Sequence, residues 1–344
     1  MARKYILFQN GGIGDFLMAL FLAEQLKKYG GAEKIYIIVH RVGKFLRGFI
    51  EGYPYISLIE VSGKHPLSFV QIFKLIGRDN VIILPPTIGK FQLRLKFLAR
   101  VLALPPGGFL VGFQDSGILC SALYSKVLPY NINQLFIETM HDILRVLKIE
   151  SAEKTPRLII KPSQGILERV GLRDKRYIFL HPRGSSERRC LNELDTAYLI
   201  NFILSLYPER RVVISGAEHE REKIDSMVKN SKKPERVVKF IGGSPQELSA
   251  LIEKAELFIG VDTGITHMAC FLGKRALVIA QNATPHWLPY YNKEAKILYR
   301  FKEDEKSESS EEYIMSHQKG RLRPLKDIPI KIVCDELGKM LGKE

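Results

Sequence analysis

Short apolar runs alternate with longer amphipathic ones along this chain, and the alternation sets in at residue 4. Brief runs rich in β-branched and aromatic residues read as buried strands. Stretches whose apolar positions recur three and four residues apart read as helices. In the first half the pattern predicts strands at Lys4–Gln9, Lys34–Val39, Ser57–Val61, Asn80–Leu84 and Phe109–Phe113. Helices are expected between them at Asp15–Tyr29, Val42–Glu51, Leu67–Gly77 and Lys90–Leu102. The second half restarts the rhythm with strands at Tyr177–Leu180, Arg211–Ser215, Val237–Phe240, Leu257–Val261 and Ala276–Ala280. Its helices are expected at Asn192–Leu206, Glu218–Lys229, Pro245–Lys254 and Thr263–Leu272, with a last one at Ile330–Leu341.

Such alternation is the mark of βα units and of mostly parallel sheets covered on both faces. Ser151–Asp174, with Pro156, Pro162 and a single amphipathic turn, reads as the link between two such halves. The expected architecture is therefore α/β, two Rossmann-like domains facing a central cleft, with ligand at the carboxyl ends of the strands. The polar run Lys302–Glu312 reads as a solvated loop.

Composition narrows the class. Of 344 residues, 46% are hydrophobic and 26% charged, which excludes a largely disordered chain. No stretch approaches the roughly 20 apolar residues that span a bilayer. Tyr5–Phe8 is cut short by Gln9-Asn10-Gly11-Gly12, so it reads as a strand rather than a signal-peptide core, and a cytoplasmic protein is expected. Cys120, Cys190, Cys270 and Cys334 lie far apart, a spacing of reduced thiols rather than of a zinc knuckle or a disulfide framework. Lys plus Arg number 52 against 37 Asp plus Glu, giving +15. That excess attracts polyanions. Without a nucleic-acid-binding signature, the expected partners are a phosphorylated substrate and a membrane surface, not nucleic acid.

Two segments carry candidate chemistry. Asn10-Gly11-Gly12-Ile13-Gly14-Asp15 lies between the first strand and the first helix, where Gly12 and Gly14 permit a tight backbone turn. Asp15 has two roles open to it there: a cap on the helix, or a general base for an acceptor hydroxyl. The second segment is Gly260-Val261-Asp262-Thr263-Gly264-Ile265-Thr266-His267, a strand, a turn and a helix start. Free N–H groups at Thr263 and Gly264, together with the helix dipole, suit a pyrophosphate. Trp287 borders a nucleotide or simply packs. His141 reads as structural, and Arg94, Lys96 and Arg100 read as a solvated helix face.

Asp262-Thr263-Gly264-x-x-His267 resembles the signature of the family 9 glycosyltransferases, the heptosyltransferases. The turn ending at Asp15, Phe179-Leu180-His181-Pro182 and Gly216-Ala217-Glu218-His219-Glu220 resemble further family segments in the same order, so the likeness covers nearly the whole chain. It departs where the family often has Lys-x-Trp-Pro and this chain has Arg188-Arg189-Cys190-Leu191. The resemblance implies the GT-B type of fold. Residues 1–165 would form an acceptor-binding domain and 166–325 a nucleotide-sugar-binding domain, with 326–344 a closing helix returning to the first. It implies an inverting transferase moving heptose or a related sugar from an ADP-sugar to a lipopolysaccharide inner-core or similar glycan, without metal or other cofactor. The acceptor would be an anionic glycolipid or glycan met at the cytoplasmic face of the inner membrane. Asp15 is then the base, Arg188 the donor-phosphate cation and Glu220 the ribose acid. Asp262 stands at the donor sugar, Thr263 and Gly264 on the pyrophosphate, and His267 beside them. A non-catalytic nucleotide-sugar-binding protein and a nucleotide-sugar epimerase are the alternatives on the same scaffold.

Overall fold

The computed structural model describes residues 3–9, 12–39, 44–61, 67–86, 92–114, 123–151, 153–280, 285–299 and 328–342. The polar run Lys302–Glu312 and Cys120 lie outside them. The chain divides into two compact units, the first holding residues 1–159 and the second most of the remainder. Pro285–Trp287 belongs with the first unit, and Arg321–Glu344 with the second.

The first unit runs β1 (Lys4–Gln9), α1 (Ile13–Lys28), β2 (Ile35–Val39), α2 (Lys44–Ile50), β3 (Ile56–Glu60), α3 (Leu67–Phe73), β4 (Asn80–Ile83), α4 (Gln92–Leu102), β5 (Phe109–Phe113), β6 (Lys126–Leu128) and α5 (Phe136–Val146). Its strands pair in the order β3-β2-β1-β4-β5-β6. The second unit runs α6 (Ile166–Arg169), β7 (Tyr177–His181), α7 (Glu193–Leu206), β8 (Arg211–Gly216), α8 (Arg221–Lys229), β9 (Val237–Ile241), α9 (Pro245–Lys254), β10 (Leu257–Val261), α10 (Gly264–Phe271), β11 (Ala276–Ala280), β12 (Ala295–Tyr299) and α11 (Ile330–Met340). Its order, β9-β8-β7-β10-β11-β12, repeats the first. Every pairing between described strands is parallel.

The strands explain their own sequence. A parallel sheet covered on both faces has no solvent side, so β7, β10 and β11 are buried at every position and apolar nearly throughout. Helix starts are equally local. Ser244 accepts from the Glu247 N–H at 3.2 Å while Glu247 accepts from the Ser244 N–H at 2.8 Å, with Pro245 at the first helical position of α9. Asn192 accepts from the Asp195 N–H at 2.8 Å at the start of α7.

Three elements escaped the sequence pattern: β6, β12 and α5. The first is only three residues long, and β12 interrupts its apolar positions with Lys296. In α5, His141 sits edge-on to Phe21 at 6.0 Å, a packing role as expected. The closing helix α11 packs with the second unit, where its Val333, Cys334 and Leu337 join the core beside Leu199, Ile203 and Leu277.

In both units the order reverses once, between β1 and β4 and between β7 and β10, and the crevice for ligands lies beyond the carboxyl ends there. Gly260 stands at the second reversal, in register with His181. A Cβ on it would fall 2.6 Å from the Phe258 ring and 2.9 Å from Thr266 Oγ1. Phe258 is itself stacked on Phe179. Gly260→Ala is therefore expected to cost about 1–3 kcal/mol of stability by overpacking, read as a lower midpoint in urea unfolding.

Candidate functional site

The loop after β7 is a closed structure. The Leu191 N–H donates to Pro182 O at 2.9 Å, and a Cβ on Gly184 would meet Arg189 O at 2.5 Å, so the two limbs run in contact. Cys190 fastens them: its sulfur accepts from the Gly184 N–H at 3.2 Å and its thiol donates to Ser186 O at 3.1 Å. Burial pushes the Cys190 thiol up, so it stays protonated. The loop is closed by a buried sulfur.

That loop delivers a cation to Asp262. Arg189 donates to Asp262 Oδ2 at 2.8 Å and to Asp262 O at 2.7 Å. The family resemblance gives the donor-phosphate role to Arg188; in the short turn Glu187–Arg189 it is Arg189 that faces β10, while Arg188 is exposed. Beyond Asp262 the chain enters α10 with Thr263 as N-cap. The first N–H groups of that helix have no partner one turn back, and they carry the positive end of its dipole. Thr263 Oγ1 is buried with no hydrogen-bond partner among the described residues. His267 lies one turn in, its Nδ1 2.9 Å from the Tyr291 hydroxyl and its Nε2 3.9 Å from Asp262 Oδ1. Burial, then the charges of Cys270 and Asp262, raise the Tyr291 pKa, so the phenol stays protonated.

Glu220 follows β8 and is buried. Its carboxylate accepts from Arg183 Nε at 3.2 Å and from the Ala217 N–H at 2.8 Å. Arg183 also donates to Glu187 at 2.8 Å, and Lys223 bonds to the same carboxylate. These two cations hold the Glu187 carboxyl down at about 2. Between the two strands, His181 Nδ1 lies 2.9 Å from Ser215 Oγ, whose hydroxyl reaches Leu180 O at 3.5 Å. That direction of donation puts the His181 proton on Nδ1 and leaves Nε2 an acceptor.

The expected donor residues Asp262, Thr263, Gly264 and His267 thus come together at the end of β10, while Glu220 holds a separate ion pair at the end of β8. Arg183, Arg189, Ser215 and Tyr291 were not picked out from the sequence. An arginine is found at a site only when the fold shows which carboxylate it faces.

In the first unit, Asp15 Oδ2 accepts from the Gly12 N–H at 2.8 Å, so the capping role is present. Gly12 is the N-cap, whereas Gly14 lies within α1 rather than in the turn. Burial, then the charge of Asp15, raise the Tyr130 pKa, which places that phenol in the field of the carboxylate. Tyr130 meets His286 edge-on at 5.1 Å, and Phe136 lies 5.4 Å from Trp287. Trp287 is therefore a packing residue of the first unit. Lys96, expected on a solvated face, is buried, with its ammonium 5.9 Å from the Tyr124 ring. Arg94 lies on the same helix, and Arg100 is half-buried. No group of three or more His, Cys, Asp or Glu among the described residues could hold a metal ion.

Two parallel sheets of Rossmann order, with an ion-paired acid at a helix start beside the second switch point, define an α/β protein of the GT-B type. The family model described as glycosyltransferase family 9 (heptosyltransferase) matches residues 99–318, and the chain belongs to that family. Among solved structures, it is similar to a glycosyltransferase family 9 protein from Veillonella parvula DSM 2008, with 16% identity, a TM-score of 0.72, and 98% of this chain and 97% of that one covered. It is similar to the E. coli ADP-heptose lps heptosyltransferase II, at 15% identity and TM-score 0.70 over 98% of each chain. The E. coli heptosyltransferase WaaC with ADP aligns at 14% identity and TM-score 0.69 over 98% and 99%. No curated protein matches in sequence.

Burial pushes both His181 and His286 down to about 4, against smaller upward pulls from Glu220 and from Gln134 O. Unfolded, both would titrate near 6.5, so between those values the unfolded chain binds the extra protons. Each histidine therefore contributes stability that is complete above pH ~6.5 and lost as pH falls toward 4, about 3 kcal/mol apiece. Urea unfolding across that range should lose stability less steeply in His181→Gln than in the natural chain. Identical slopes would refute the burial argument.

Proposed function

We propose that the chain is a transferase that moves heptose, or a related sugar, from an ADP-sugar to an anionic glycan acceptor of the lipopolysaccharide inner-core kind, with inversion and without a metal. The observation that carries this is the Arg189–Asp262 pair at the start of α10. It sets a guanidinium and a row of free helix N–H groups at one switch point, the equipment a departing diphosphate needs as its charge develops. Family membership supports sugar transfer, and the ADP named in the WaaC structure supports the adenine nucleotide. Neither favours a non-catalytic binder or an epimerase.

In the proposed reaction the acceptor hydroxyl oxygen attacks the anomeric carbon as the bond from that carbon to the diphosphate oxygen breaks. Asp15 takes the hydroxyl proton, and its bond to the Gly12 N–H orients the carboxylate meanwhile. Asp262, oriented by Arg189 and faced by His267, holds the donor sugar. Thr263 and Gly264 carry the diphosphate, aided by a cation from the 187–189 turn, Arg188 or Arg189. Glu220, fixed by Arg183, receives the ribose hydroxyls. The enzyme would act in the cytoplasm, against the membrane that carries its acceptor; no described helix is long and apolar enough to cross one.

Calorimetry with ADP, GDP and UDP, with and without magnesium, tests the donor. Selective, metal-independent ADP binding is expected, lost in Asp262→Ala and weakened about 10- to 100-fold in Arg189→Gln by removal of a charge-assisted contact. A preference for GDP or UDP would overturn the adenine assignment. Asp15→Asn should bind ADP normally yet turn over about 10²- to 10⁴-fold more slowly. Full turnover in that variant would remove Asp15 from the base role.

A further inference from the structure

Five of the eleven exposed large hydrophobic residues among the described residues lie in one short stretch: Val70, Phe73, Ile76, Phe97 and Leu104. They belong to α3, α4 and the residues just beyond them. Both helices cover the same face of the first sheet, because Ile72, Leu75, Ala99 and Leu102 share one core with Ile6, Phe8 and Ile82. With those side chains turned inward, the five exposed ones stand on the solvent side of that layer. Phe97 is 64% exposed and Leu104 65%, so nothing among the described residues covers them.

The same stretch is strongly basic. In sequence, residues 67 to 104 hold Lys74, Arg78, Lys90, Arg94, Lys96 and Arg100 against a single acid, Asp79, although Lys96 is buried and adds nothing to the outer face. Lys74 and Arg78 are exposed between and beside the apolar side chains. A face that combines projecting aromatic and aliphatic groups with an excess of cations matches the interface of an anionic bilayer, where rings enter the headgroup boundary and ammonium groups stay among the phosphates. A second copy of this chain fits poorly. A two-fold dimer through this face would set the same cations against each other.

We propose that the outer side of α3 and α4 is the surface by which this protein docks on a membrane rich in anionic lipid. This extends the membrane contact in the proposed function by naming its surface, and it does not depend on which nucleotide the second unit takes.

The full-length protein would be sedimented with vesicles of phosphatidylcholine, and with equimolar phosphatidylethanolamine and phosphatidylglycerol. Retention by the anionic vesicles alone, falling as salt is raised, is expected. Each cation near such a surface is worth about fivefold in partitioning, so K74Q/R78Q should bind roughly 25-fold more weakly. F73S/F97S should also lose retention, whereas L194S/Y198S, at exposed apolar positions of α7, should keep it. All these positions are exposed, so unchanged thermal melting and ADP affinity would show that fold and donor site are intact. Equal binding to both vesicle types, or undiminished retention of the α3/α4 variants, would overturn the proposal. So would a dimer in light scattering that F73S/F97S abolishes, in the absence of vesicle binding.

Discussion

Parallel pairing is the constraint on which the rest of this structure depends. Consecutive parallel strands must be joined by crossovers, and these put helices on both faces and bury the strands completely. They also deliver every strand's carboxyl end to the same edge of its sheet. Where the order turns back, at β1/β4 and at β7/β10, the outgoing loops diverge to opposite faces and leave a crevice. In the second unit the Cys190-fastened loop leaves β7 and Asp262 follows β10. Residues far apart in the chain thus become neighbours because two connections leave from adjacent strand ends. Asp15 holds the corresponding place after β1 in the first unit. The chemistry is carried by side chains, but topology fixes where they can meet.

Most of this was legible in the sequence because parallel strands are read by their burial. Leu257–Val261 and Ala276–Ala280 stand out as apolar runs with bounds that match the strands. The failures have physical causes. In β6, Lys126-Val127-Leu128 is too short to establish a period, and at the edge of its sheet it needs no continuous apolar run. The order of motifs singled out Asp262 and His267, which the structure brings together, since a strand–turn–helix junction is a local event. It pointed to Arg188 and passed over Arg189: one residue of phase in a tight turn exchanges which of them faces β10. Gly14 shows the same limit, as a glycine two residues from a cap reads as turn until the helix is seen to begin before it. Lys96 was misjudged because a cation on an amphipathic helix reads as solvated, yet its stem and ammonium lie against Tyr124.

The basic character of the chain divides into two kinds of charge. In the second unit the arginines near the strand ends already face acids: Arg183 lies between Glu187 and Glu220, and Arg189 lies on Asp262. An anion arriving there meets a nearly balanced set of charges and must compete for guanidinium groups that are already bonded. Field strength alone would then bind little. Selectivity has to come from the geometry of the helix N–H groups and from which carboxylate each cation releases. The stretch from 67 to 104 is different: six cations stand in its sequence against one acid, and Lys74 and Arg78 are exposed to solvent. A surplus of positive charge attracts polyanions in general, whereas paired charges such as those near β7, β8 and β10 leave little net field.

Cys190 ties these levels together. An aromatic ring at this loop would hold it by filling volume; a cysteine fills far less and must hold it by direction. The sulfur does so with one bond received from the Gly184 N–H and one given to Ser186 O, and both need the limbs to approach as closely as only glycine at 184 allows. Loop closure, the absence of a Cβ at 184 and the aim of Arg189 at Asp262 are therefore one device. The loop is held by hydrogen bonding to the Cys190 sulfur rather than by the packing of a ring. The cation beside the acid at the start of α10 is thus positioned by the backbone path of the loop that carries it.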